Sequence, residues 1–121
     1  MLRGKNKSKK SRLPTAEEFL SFIPVRADLE WSINSDEVVE IIVPKFKSNI
    51  GKSFCKLIRK DENIIAKMDK IGTIVWKNSD GKKTVKDIFE LLKKKFPKEE
   101  NLDQRLFLFL SQMRSLKYII Y

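Results

Sequence analysis

Gly51-Lys52-Ser53 has the ending of a phosphate-binding loop, in which backbone N–H groups cradle phosphates and the lysine reaches the outer ones. Such a loop needs a glycine five positions before Gly51, and that position is Phe46. The carboxylates Asp36/Glu37, Asp61/Glu62 and Glu99/Glu100 are adjacent pairs in polar stretches. They read as solvated turn residues, not as an acid–base couple. Histidine is absent, which removes the commonest general base, His-based triads and most zinc and iron sites. The single cysteine, Cys55, excludes an internal disulfide and a thiolate metal cage, and its apolar-periodic setting suggests a packed thiol. The sequence offers no catalytic constellation, no metal site and no cofactor site.

The elements around these residues fit one domain. A chain of 121 residues buries about two-thirds of its unfolded surface, enough for one core. A hydrophobic content of 41% with two Trp and eight Phe favours a folded chain. The net charge of +10 is unevenly spread: Arg3, Lys5, Lys7, Lys9, Lys10 and Arg12 stand in a segment with no acid. That leaves 20 basic against 16 acidic residues in the rest. Residues 1–13 read as a disordered basic tail and 14–121 as the folded domain. The competing reading of the tail is an arm for nucleic acid or an anionic membrane. No stretch approaches the ~20 apolar residues that span a bilayer, and residues 1–12 lack the apolar run of a signal peptide. A cytoplasmic location is the default.

Thr15-Ala16-Glu17-Glu18 has capping-box spacing ahead of Phe19, Leu20, Phe22 and Ile23, which predicts a short helix ended by Pro24. Trp31–Asn34 and Glu37–Val43 read as a hairpin, with Val39, Ile41 and Val43 alternating onto one face and Asn34-Ser35-Asp36 turning. Pro44 ends the second strand. Residues 48–59 read as a helix carrying Ile50, Phe54, Leu57 and Ile58, weakened by Gly51. Asn63–Asp69 is a third strand. The period then turns helical, with a short helix over Lys70–Lys77. A second follows Asp80-Gly81 and the cap Thr84, with the stripe Val85, Ile88, Phe89, Leu92 and Phe96. Pro97 stops it. The last helix spans Leu102–Leu116, and Phe107 and Leu108 widen its apolar surface beyond one stripe. Tyr118–Tyr121 reads as a strand or a packed tail. The order is α+β, with three strands around a helical insertion and then three helices.

Met68-Asp69-Lys70-Ile71-Gly72-Thr73-Ile74-Val75-Trp76, followed by Asp80-Gly81-Lys82-Lys83-Thr84-Val85-Lys86-Asp87-Ile88, resembles the signature of PqqD-like proteins. These are leader-peptide recognition domains used in making ribosomally synthesised, modified peptides. The family pattern is a Leu-Asp-x-Ile-Gly-x-x-Val-Trp helix, then an Asp-Gly-x-x-Thr-Val-x-Glu-Ile turn and helix. Met68 stands for the usual Leu and Asp87 for the usual Glu. Pro24-Val25-Arg26 before Trp31, and Arg105-Leu106-Phe107 with Phe109-Leu110, extend the likeness over about residues 22–120. The family often carries a glycine after the last helix, where this sequence has Leu116-Lys117-Tyr118.

The resemblance implies a winged-helix-like fold, a three-stranded antiparallel sheet followed by a three-helix bundle. It implies that a precursor's leader peptide adds as a strand along the third strand and against the last helix, for a radical-SAM or other maturase. Carried over, the peptide-binding residues are Ile64, Ile65, Ala66 and Lys67 on an exposed edge, with Arg105, Phe109, Gln112 and Met113 from the last helix. Arg105 would pair with an acidic leader residue, and Lys67→Pro would abolish peptide binding with the fold intact. Asp69, Gly72, Trp76, Asp80, Gly81 and Thr84 are the structural signature. Ile64, Ala66, Phe109 and Met113 also read as plain core. An exposed third strand would allow either a monomer or an edge-strand dimer. A nucleic-acid-binding winged helix is the rival, disfavoured because the last helix carries Leu and Phe where groove-reading helices carry Arg, Lys, Asn and Gln. An interaction scaffold of the same fold is the third reading.

Overall fold

The computed structural model describes residues 15–43, 55–60 and 63–121. The basic tail, Pro44, the glycine-lysine-serine stretch and Asp61/Glu62 therefore lie outside the described residues. Helix α1 spans Ala16–Ser21 and opens on the expected capping box. Thr15 Oγ1 accepts from Glu18 N at 3.1 Å, and Glu18 Oε1 accepts from Thr15 N at 2.9 Å. Two of the helix's orphan N-terminal donors are thereby satisfied.

Strand β1 (Val25–Arg26) pairs antiparallel with β6 (Ile119–Ile120), so the chain after the last helix returns to the entry segment. Strands β2 (Trp31–Ile33) and β3 (Val39–Val43) form the expected hairpin. Asn34 Oδ1 accepts from Asp36 N at 2.8 Å and Val38 N at 3.2 Å, which closes the turn. Val39, Ile41 and Val43 are buried, while Glu40 and Ile42 between them are half-buried.

β4 (Cys55–Lys60) and β5 (Asn63–Met68) complete a four-stranded antiparallel sheet in the order β2-β3-β5-β4. The expected three-stranded sheet is present as β2-β3-β5, and β4 extends it. A helix over 48–59 is not what forms: residues 55–60 are a strand paired with β5 from Cys55↔Met68 to Lys60↔Asn63. The helical expectation rested on a local apolar stripe weakened by Gly51. Ladder hydrogen bonds to β5 outweigh such a preference, which is worth only tenths of a kcal/mol per residue. Residues 48–54 lie outside the described ones.

Three helices follow: α2 (Lys70–Asn78), α3 (Val85–Lys95) and α4 (Leu102–Ser115). They pack on one another, and α2 lies on β3 and β5. Thr73 Oγ1 in α2 accepts from Val39 N at 2.9 Å, tying helix to sheet inside the core. Trp76, Ile88, Leu106, Phe109 and Leu110 are fully buried. The Trp31 and Trp76 rings meet edge to face at 6.2 Å. Arg26 lies over Trp31 at 5.2 Å and donates to the carbonyls of Trp76 and Lys77 at 3.0 and 2.9 Å, closing the end of α2.

The turn into α3 is held by its own residues and by the entry segment, since Gly81 N donates to Pro24 O at 3.0 Å and Val85 N to Phe22 O at 2.8 Å. Gly81 takes φ +80°, open to glycine without strain. Lys82 N donates to Asp80 Oδ1, and this bond holds the Asp80 carboxyl below its ordinary 3.8; desolvation opposes it and the Lys83 ammonium assists. Thr84 and Asp87 form a second reciprocal capping box. After α4, Lys117 occupies a left-handed position at φ 66°, a conformation that glycine adopts without strain. Tyr118 N donates to Met113 O and Lys117 N to Arg114 O, both at 2.9 Å. The helix thus ends in a Schellman motif carried by a lysine.

Candidate functional site

The expected docking residues fall into two groups, and neither forms an open edge. Ile64, Ile65, Ala66 and Lys67 lie on β5, which is paired on both sides. On one side Val43, Ile42, Ile41 and Glu40 are their partners in register. On the other stand Arg59, Ile58, Leu57 and Lys56. The N–H and C=O groups of β5 are spent within the sheet, so no further strand can add there. Ile65 and Ala66 are buried, Ile64 and Lys67 half-buried, and Lys67 Nζ meets Asp36 at 3.4 Å. This corrects both the docking edge and the idea of an edge-strand dimer through β5.

In α4, Phe109 and Met113 are fully buried, as plain core residues would be, and Gln112 is half-buried. Arg105 does not wait for a ligand. Its Nη2 donates to Asp69 Oδ2 at 2.6 Å, and Nη1 stands 3.8 Å from Glu99 Oε1. Asp69 Oδ1 accepts at the same time from Gly72 N at 2.7 Å, capping α2. One carboxylate therefore caps α2 and anchors α4. A Cβ on Gly72 would come within 3.0 Å of Phe109 Cε1 and 3.2 Å of Asp69 Oδ1, so glycine permits this approach. The signature residues Asp69, Gly72, Trp76, Asp80, Gly81 and Thr84 serve the architecture.

The surplus apolar surface of α4 is partly used by α1. Phe107 meets Phe19 edge to face at 5.2 Å. Beside this contact lies a cavity of about 530 Å³ between α1, α3 and α4, bordered by Phe19, Leu20, Phe89, Phe107 and Leu108.

β4 is the backbone edge that sequence reasoning missed. Among the described residues its strand partner is β5 alone, and its other side is the margin of the sheet. At six residues it is longer than β2, the three-residue strand at the opposite margin. A signal for it existed: two stretches with β-branched residues, Cys55–Lys60 and Asn63–Met68, are separated by two residues, which is hairpin spacing. The side chain of Cys55, taken above as a packed thiol, lies outside the described ones. Among the described residues no group of three or more His, Cys, Asp or Glu could hold a metal ion. No helix of theirs is long and apolar enough to cross a membrane.

No family model, no curated protein and no solved structure matches the chain. The likeness to the PqqD-like signature rests on the residues quoted above.

Proposed function

We propose that the chain is a non-catalytic peptide-binding module that takes the leader of a ribosomally made precursor as an added strand and presents it to a maturation enzyme. The observation that carries this reading is the margin of the sheet at β4. A six-residue strand with a partner on one side only, among the described residues, has unused backbone donors and acceptors for an extended peptide. In this mode backbone hydrogen bonds supply affinity and side chains supply specificity. The closed helical half supports it as a rigid mount, since Arg105, Asp69 and Gly72 lock α4 to the start of α2. A sequence without histidine and with one cysteine supports a role without catalysis.

The test is a backbone-amide NMR titration of the full chain with leader peptides encoded beside maturase genes, and separately with a short DNA duplex at two salt concentrations. Shifts with a peptide centred on 55–60 are the expected result. Shifts with DNA alone, centred on Lys93–Lys95 and falling steeply with salt, would replace the proposal by nucleic-acid binding.

A further inference from the structure

Given strand addition at β4, we infer that the partner is an acidic extended peptide with an apolar residue at its centre, and not a second copy of this chain. The inference rests on the proposed function and names the ligand class for that edge. β4 reads Cys-Lys-Leu-Ile-Arg-Lys, three cations in six residues with no acid. Its neighbour adds a fourth, because Lys56 stands opposite Lys67 in the ladder. Like charges directly opposite one another in a sheet are unfavourable; Lys67 has Asp36 at 3.4 Å and Glu40 as its register partner on β3, while the described residues place no acid beside Lys56 in the ladder. An arriving strand with carboxylates beside β4 relieves it further.

Positions 56, 58 and 60 share one face of a strand, since alternate residues do. Ile58, between two lysines in that series, is 39% exposed. A matching strand places an apolar residue near Ile58 and carboxylates near positions 56 and 60, through cross-strand pairs worth about 0.2–1 kcal/mol each. A second copy supplies the opposite. Two β4 edges set side by side bring six cations together and no acid, so self-pairing is opposed while an acidic peptide is drawn in. The overall charge of +10 acts the same way at longer range. Cations on an edge strand also guard against aggregation, and pure guarding gives no preference among peptide charges beyond long-range attraction.

The experiment compares two capped nine-residue peptides by fluorescence anisotropy on the full-length protein. One alternates Glu with Val and Leu; the other carries Lys at every Glu position. Amide hydrogen exchange of residues 55–60 is followed with each. The Glu peptide is expected to bind about tenfold or more tighter, with protection of β4 amides and an advantage that shrinks as salt rises. In the variant Lys56→Glu/Arg59→Glu/Lys60→Glu, with its melt compared to the parent, the order of the two peptides reverses. Equal affinities with β4 amides protected by both peptides overturn the charge assignment and leave strand addition standing. Absence of β4 protection with either peptide overturns both. The comparison on the unmodified protein decides the matter even where the triple variant does not fold.

Discussion

Residues 68–88 and residues 55–60 meet where Met68 pairs with Cys55, and they are held by different kinds of contact. The first region is fixed by short-range devices: Asp69 caps α2, Gly81 turns, Thr84 and Asp87 close a reciprocal cap, and the Trp76 ring is buried. The second is fixed by its ladder to β5. The first has its caps and turn closed by its own residues together with Arg26 and Arg105, and it leaves Trp76 Nε1 buried without a hydrogen-bond partner. The second ends the sheet. The difference separates architecture from the proposed recognition: the segment richest in sequence signature serves the fold, and the segment with no signature carries the proposed docking edge.

Proline substitution is the sharpest way to break this contrast. Ile64 to Lys67 have strand partners on both sides, so Lys67→Pro removes a ladder hydrogen bond and should cost about 3 kcal/mol in urea unfolding. It is therefore a test of the fold, and the expectation that it would spare the fold is withdrawn. Along β4 the cost should alternate with a period of two, because every second N–H of an edge strand faces away from its neighbour. A uniform cost along β4 would mean that its outer side is also paired. A smaller effect probes the closed half. Gly72→Ala gains helix propensity but sets a methyl against the fully buried Phe109 ring, for a net loss of about 1 kcal/mol. A neutral result would show that the junction of α2 and α4 has slack. The smallest effect has the opposite sign. Lys117→Gly relieves a left-handed residue and should raise stability by about 0.5 kcal/mol, read as a higher melting temperature.

What could be read from the sequence follows the same division. Caps, turns and stripes are local, so α1, the β2–β3 hairpin and the three later helices could be located from spacing alone. Strand pairing is not local. The run from Cys55 to Lys60 has Leu57 and Ile58 adjacent, which with Ile50 and Phe54 fits a helical stripe and breaks the alternation of a strand, and only its partner β5 settles the matter. The docking residues failed for a related reason. Ile64–Lys67 form a strand as expected, but whether a strand is central or marginal depends on a segment elsewhere in the chain. Arg105 was chosen for its charge, and its partner Asp69, 36 positions away, cannot be seen from spacing.

The order of strands in the sheet has a kinetic consequence. Two residues separate β4 from β5, whereas 19 separate β3 from β5. Closing the longer loop costs about 2 kcal/mol more chain entropy, so the β4–β5 ribbon is favoured to assemble first and to dock afterwards on the β2–β3 hairpin. The β4 margin of the sheet is then laid down early, before the core beside it has closed.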